Sequence, residues 1–393
     1  MADYAQINPG VFHLGYRFPT SVIIDKLPMN VDKDHRIELR YKHAVLVNRA
    51  LYVGNVQVFR RSNGSIKVEG DSMYKSAVNQ FDAFADYSKI EAAVSDGENI
   101  TALAEFADKI LQFKQNTLYI INVGGSVELL EGTHRHKGVS SPASVCKTDY
   151  GVAWANEHGC YLYDGKNIID LLEKQGLQKI KESEWQSFVV IPMVGYFPRK
   201  RQLIVVDDVT TNGDGTIYLY DMVTTSWTKS SAAKYADAIK SNLINDWNGD
   251  LAHATGAVPK QWSDTSIASS GFTLNTKDLD FGQPAVKKKI YKAYVSYKGD
   301  ASTVTCTYAV NGDTDTVANF YKSGADGTTT GATDSTTPFH SSTVGTDDWV
   351  TAELKPVSTV NNKYSFQLRF GGTAPADFQI NDISVVYRLK KVK

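Results

Sequence analysis

YGVAWANEHGCYLYDGKNIIDLL (residues 150–172) alternates short apolar runs with two polar turns, at Glu157–Gly159 and at Asp164–Gly165. Gly, Asn and Asp tolerate the backbone angles of tight turns, while Val, Trp, Tyr and Ile fit strands, so the stretch predicts consecutive antiparallel hairpins. Its tetrapeptide YLYD returns as Tyr218–Asp221 inside GTIYLYDMV. Such a motif could be a catalytic signature, a platform for stacking sugars, or the punctuation of a repeated fold. Repetition favours the third. RQLIVVDDVTTNGDGTIYLYDMVTTSWTKS (201–230) follows the same plan with a longer loop at Thr210–Gly215. AVLVNRALYVGNVQVFRRSNGSIKV (44–68), TLYIINVGGSVELLE (117–131, turning at Gly124–Gly125) and NLINDWNGDLAHATGAVPKQW (242–262) are further copies.

Each copy reads as an apolar strand, a polar turn, an aromatic-rich strand, a second turn and one more strand. A lone hairpin cannot bury its apolar face, so the units must pack on one another. Units of three or four strands repeated around an axis make a β-propeller, here of about five to seven blades. The expectation is an all-β chain with an N-terminal segment (1–43, a first blade or a docking arm), a propeller over 44–264 and a β-sandwich over 265–393. Trp154, Tyr161, Tyr163, Tyr218 and Tyr220 are the candidate blade-packing residues, because in YLYD the tyrosines alternate with Leu and share one face of the strand.

TALAEFADKILQF (101–113) tests this scheme. Leu103, Phe106, Ile110 and Phe113 fall at helical spacing among good helix formers. The corresponding position in neighbouring units is a hairpin, so two strands turning at Ala107–Asp108 are expected instead. Short helices are expected at 231–242 and 177–185.

After Trp262 the pattern becomes strict period-two alternation. Tyr364, Phe366, Leu368 and Phe370 are expected on one face, and a phase slip at Asn381–Asp382 predicts a β-bulge. Five or six antiparallel strands, each with one apolar face, imply a separate antiparallel β-sandwich. GADGTTTGATDSTTPFHSSTVGTDD (324–348) is polar and rich in Gly and Thr, and is expected to form a long exposed loop.

The 393 residues carry a formal charge of −1, and the 42 Lys and Arg are scattered, unlike the concentrated basic face of a nucleic-acid binder. PRKR (198–201), KKK (287–289) and the terminal RLKKVK are expected to be solvated strand ends. Cys146, Cys160 and Cys306 form neither a disulfide framework nor a zinc set, and Cys306 reads as a small buried apolar residue. No secretory signal or membrane span is legible, so a soluble chain made in a cytoplasm is expected.

Chemistry is thinly represented. His134 and His136 would share a face of a strand, but no third ligand is near in sequence. Ser126 follows Gly124–Gly125 in a hairpin turn, not in a strand-to-helix elbow. TTNGDGT and VNGDTDT lack the spaced carboxylates of a calcium loop and read as turns. Asp149-x-Gly151-x-x-Trp154 matches the core of the Asp box of sialidases, with Lys147 where Ser or Thr is usual. That motif is a structural turn and supports a propeller more than an activity. No catalytic, cofactor-binding or metal-binding residue is expected, and no cofactor.

SSPASVCKTDYGVAWANEHGCYLYDGKNI (140–168), preceded by ALAEFADKILQFKQNTLYIINV, resembles a tailed-phage virion family, the phage stabilisation or tail-hub and nozzle proteins of podoviruses. DLDFGQPAVKKKIYKAYVSYKG and the terminal INDISVVYRLKKVK are similar to the closing segments of that family. The resemblance runs from about residue 80 onward. It implies a β-propeller, a non-enzymatic structural role in the virion tail, and assembly in the host cytoplasm as a homo-oligomeric ring such as a hexamer. Its partners would be the tail adaptor near the portal and other tail components, with DNA passing through the channel if the ring is a nozzle. A receptor- or glycan-binding virion protein, fibre-associated or head-decorating, is the alternative, and a propeller glycosidase a more distant one.

Overall fold

A computed structural model describes residues 7–8, 11–12, 37–60, 64–92, 96–125, 127–174, 177–207, 216–230, 243–246, 248–255, 258–262, 269–313, 315–324, 328–340, 349–375 and 378–390. The chain divides into two units, Met1–Ser263 and Asp264–Lys393. Nearly every described element is a strand.

The first unit is a succession of antiparallel meanders, each in simple chain order. The first sheet comprises β1 (Ile37–Val47), β2 (Ala50–Arg60), β3 (Ser65–Ala77) and β4 (Gln80–Ile90). Residue 43, expected to end an N-terminal segment, lies inside β1. The second sheet holds β5 (Ile100–Phe106), β6 (Lys109–Lys114), β7 (Thr117–Asn122) and β8 (Leu129–Arg135). The third holds β9 (Val145–Thr148), β10 (Gly151–Asn156), β11 (Gly159–Tyr163) and β12 (Ile168–Asp170). A helix, α1 (Glu182–Phe188), precedes the fourth, made of β13 (Met193–Phe197), β14 (Gln202–Val206), β15 (Ile217–Asp221) and β16 (Ser226–Ser230). A three-stranded fifth sheet follows: β17 (Ile244–Asn245), β18 (Leu251–Thr255) and β19 (Val258–Gln261).

Consecutive sheets share apolar clusters. Val47, Ala50, Tyr52 and Met73 of the first meet Ile100, Ile110 and Ile121 of the second. Leu111, Phe113 and Leu118 of the second meet Val152, Trp154, Tyr161 and Tyr163 of the third. Ala153, Cys160 and Leu162 of the third meet Leu203, Val205, Tyr218 and Tyr220 of the fourth, whose other face meets Leu251 and Trp262. The leading strands also neighbour one another in turn: β1 lies by β5, β5 by β9, β9 by β13 and β13 by β17. Four-stranded meanders stacked face to face, first strand beside first strand, have the arrangement of propeller blades.

The 101–113 segment is two strands. Ala107 and Asp108, at φ 49° and 58°, form the tight turn between β5 and β6. Leu111 and Phe113 face the third sheet while Ile110 faces the first, so both faces of β6 are buried and its apolar residues need no alternation. Burial between two sheets overrides the helical propensity. The helix expected at 177–185 is displaced: Leu177–Gln178 pairs with Glu173–Lys174, and α1 starts at Glu182, with Glu182 and Glu184 placed favourably in its first turn. The helix expected at 231–242 lies outside the described residues.

The second unit is two sheets around one core. The first runs in the order β20 (Ser269–Asn275), β27 (Phe366–Pro375), β22 (Val304–Val310), β23 (Ala318–Ser323) and β24 (Thr329–Ser335). In the other, β21 (Lys288–Lys298) pairs along one edge with β25 (Val350–Leu354) and β26 (Asn361–Lys363), and along its other edge with β28 (Gln379–Leu389). Val295 and Tyr297 of β21 pack on Cys306, Tyr308, Phe366, Leu368 and Phe370. The bulge falls at Asn381, between Ile380 and Asp382.

Three segments depart from the expected pattern. Tyr364 does not join the apolar face; it is exposed in the turn before β27, with Lys287 Nζ 5.6 Å from its ring centroid. The 324–348 segment is not one long loop, because β24 pairs with β23 and Phe339 is buried against Tyr297. Lys288 is not a solvated strand end: it is buried, and its ammonium donates to the carbonyls of Gln283 and Tyr364 at 2.6 and 2.7 Å.

Candidate functional site

YLYD plays the same physical part twice. On β11, Tyr161 and Tyr163 turn back towards the second sheet, and Leu162 turns forward towards the fourth. On β15, Tyr218 and Tyr220 turn back towards the third sheet, and Leu219 forward towards the fifth. Each Asp then closes the turn that follows. Asp164 Oδ1 accepts the N–H groups of Lys166 and Asn167 at 2.8 and 2.6 Å, and Asp221 Oδ1 accepts those of Val223 and Thr224, both at 2.8 Å. These backbone bonds favour the ionised carboxylates and hold both below the usual Asp range. Asp's role was open to sequence reasoning, since Asx turns announce themselves by an Asp two residues before the chain reverses.

The aromatic seams are specific. Trp154 is fully buried, 5.4 Å edge-on from Phe113 of the second sheet and 5.5 Å from Tyr161. Lys137 Nζ sits 3.4 Å from the Tyr161 ring centroid, a cation–π contact that sequence gave no sign of. In the next seam α1 inserts Trp185 and Phe188 beside Tyr218 and Trp227. Tyr218 donates its hydroxyl to Glu184 Oε1 at 2.7 Å, Trp227 Nε1 donates to the Leu171 carbonyl at 2.8 Å, and Trp185 Nε1 donates to that of Asn156 at 2.9 Å. Burial and then the Glu184 bond raise the Tyr218 pKa. All five candidate aromatics are therefore buried between sheets, where their faces are not open to a sugar or a substrate.

The Asp-box residues build a turn. Asp149 Oδ2 accepts the Tyr196 hydroxyl at 2.9 Å, and Thr148 Oγ1 donates to the Gly151 carbonyl at 2.9 Å. Gly151 has φ 141°, and a Cβ there would lie 1.9 Å from the Tyr163 carbonyl oxygen, so glycine is required. VNGDTDT likewise turns at Asn311–Gly312, with Asp313 Oδ1 accepting the N–H groups of Asp315 and Thr316. Ser126 and TTNGDGT lie largely outside the described residues.

A polar recess opens on the edge of the stack. In a meander, the second-to-third-strand turn and the link into the next sheet fall on the same edge. Here the turns at Gln115–Asn116 and Glu157–His158 and the links 136–140 and 190–192 line an open recess of about 280 Å³. His134 and His136 do not share a strand face, because β8 ends at Arg135 and His136 turns at φ 61°. Its ring instead meets His158 edge-on at 5.2 Å. Asn156 ties the two loops together, donating to the His136 and Gly138 carbonyls at 3.1 and 2.8 Å and accepting from His158 N–H at 2.9 Å. Glu157 lies 3.4 Å from His158 Nε2. No group of three or more His, Cys, Asp or Glu among the described residues is arranged to hold a metal. Two imidazoles, carboxamides and one carboxylate equip the recess to hydrogen-bond a polar ligand. Among the described residues no helix is long and apolar enough to cross a membrane.

No protein-family model matches the chain, and no curated protein matches it. Solved structures are similar to it over large parts of their length. A chain of the mitotic checkpoint complex is 12% identical with a TM-score of 0.33, covering 57% of this chain and 73% of its own. Hsv2 of Kluyvelomyces marxianus is 9% identical with a TM-score of 0.32, covering 56% and 70%. The exo-β-1,3-galactanase of Phanerochaete chrysosporium is 11% identical with a TM-score of 0.27, covering 88% and 95%. Likeness at this level carries no activity from those proteins to this one.

Proposed function

We propose that this chain is a structural component of a tailed-phage virion, most specifically a tail hub or nozzle subunit, in which the blade-like sheets close into a propeller and identical copies form a ring. The observation that carries the reading is the resemblance of residues 140–168, and of the closing segments, to podovirus tail proteins. Support for a scaffold role comes from the fate of the conspicuous residues in that stretch: Trp154, Tyr161 and Tyr163 are spent on the seam with the second sheet. The mechanism is assembly. A rigid stack presents its turns and edges to tail adaptor and neighbouring tail proteins, and contacts are spread over aromatic and Arg anchors instead of one site. Quantitative mass spectrometry and cryo-EM of purified virions test this. Stoichiometric, symmetry-related copies in the tail are expected; complete, infectious virions lacking the chain would overturn it.

The His136–His158 recess favours one second reading, recognition of a receptor glycan, because carboxamides and imidazoles suit sugar hydroxyls. Glycan-array binding by the full chain that is lost in His136→Ala and His158→Ala would support it. An array without binders would remove it.

A further inference from the structure

β28 is an edge strand. Among the described residues it pairs with β21 on one side only. It runs for 11 residues with no Pro or Gly; its own bulged residue, Asn381, is near its start, and the second register shift, opposite Val386–Tyr387, places its extra residue, Tyr291, on β21. An open edge of this length is a template for another strand, and proteins usually blunt it with Pro, bulges, charged side chains or a covering element. Along Asp382–Leu389 β28 itself has neither Pro nor a bulged residue, and its two charges are of opposite sign.

Its outward face bears one charge of each sign, Asp382 and Arg388, both exposed, with Ser384 and Val386 between them. Asp382 accepts the Ser384 hydroxyl at 3.1 Å, and among the described residues no ion pair joins either charge to an opposite one. On the inward face Ile383 and Val385 reach the core, and Tyr387 stacks on Phe281 at 4.0 Å. Val386, Tyr387 and Leu389 remain 38–39% exposed.

We infer that β28 pairs antiparallel with β28 of a second copy of this chain, about a twofold axis through Val385. In this register Asp382 stands opposite Arg388 of the partner subunit, and the same pair recurs on the other side of the axis. Ser384 faces Val386 of the partner subunit, and Ile383 faces Tyr387 of the partner subunit. Moving the axis to Ser384 would set Asp382 against Val386 and leave both charges without a counterpart. A twofold pairing is self-complementary, so residue i meets j and j meets i, which one Asp and one Arg placed symmetrically about a central apolar residue satisfy. The inference does not depend on the virion reading.

Sedimentation velocity and light scattering of the full chain over a range of concentrations test it. The wild type is expected to associate in pairs. Asp382→Arg and Arg388→Asp should each weaken that association tenfold or more, since each sets like charges opposite one another twice. The double variant Asp382→Arg/Arg388→Asp should restore it. Both positions are exposed, and unchanged circular dichroism identifies the variants as folded; Asp382→Asn and Arg388→Gln serve if a reversal misfolds, each expected to weaken pairing less than the reversals. A wild type that stays monomeric, single variants that associate like the wild type, or a double variant that fails to recover would each overturn the inference. A ring built through other surfaces would leave all of these variants unchanged.

Discussion

The first and third sheets are both four-stranded meanders, yet they are stabilised in different ways. The first has strands of 11, 11, 13 and 11 residues and bends until β4 comes near β1. One of its apolar clusters, with Leu39, Val53, Val58, Tyr74 and Phe84, is drawn entirely from its own strands. The third has strands of 4, 6, 5 and 3 residues and no such private core. Its two faces belong to clusters shared with the second and fourth sheets. Short strands persist here only as part of a stack, whereas long coiled strands can surround a core of their own. Charge follows the same division. The first sheet buries Glu69 among Tyr74, Arg60 and Lys89, at 2.8, 3.1 and 3.1 Å. The third sheet relies on rings and Asx turns.

The third sheet's dependence on its neighbours is greatest at Trp154. Trp154→Ala removes a fully buried ring from a seam between two sheets and is expected to cost about 4 kcal/mol, read by urea denaturation followed by fluorescence. Little loss would mean that the third sheet holds itself together.

Glu69→Gln is expected to cost about 2 kcal/mol, because the half-buried Arg60 and Lys89 lose their carboxylate partner. Burial alone would raise the Glu69 pKa, but hydrogen bonds from Tyr74, Lys89 and Arg60 outweigh it and hold the group at about 2, against an ordinary 4.5. A depressed carboxylate stabilises the fold fully above its unfolded pKa. That stability is lost as pH falls from about 4.5 towards 2. Acid denaturation of the wild type should show this loss, and the Gln variant should lack that part of the slope.

A finer contrast separates two tryptophans. Trp227→Phe gives up the bond to the Leu171 carbonyl and should cost about 1 kcal/mol more than Trp154→Phe, because Trp154 Nε1 has no partner among the described residues. The turns have an effect of similar size. Asp164→Ala and Asp221→Ala should each cost about 1 kcal/mol, and equal losses would mark them as repeats of one device. Thermal melts of the pair give the comparison directly.

Much of the fold was legible because hairpin grammar is local. Ala107–Asp108 turn where expected, and Cys306 is buried as a small apolar residue should be. What escaped was set by distant partners. Lys288 and Lys114 are among the most buried residues, the latter with its ammonium 2.7 Å from both oxygens of Asp96, and no local pattern announces such pairs. The coil of the first sheet was hidden because 44–68 reads like any other copy. The recess was hidden because His136 and His158 come from different sheets and meet only when the links and turns share an edge.

Hydrogen exchange of Trp154→Ala, followed by peptide mass spectrometry, tests the central claim that the aromatic repeat binds sheet to sheet. Protection should fall together in β6–β7, β10–β11 and β14–β15, while the private core strands of the first sheet, β2 and β3, keep theirs. Loss confined to β10 and β11 would contradict the account, and would return Trp154 and the YLYD tyrosines to candidates for some other role.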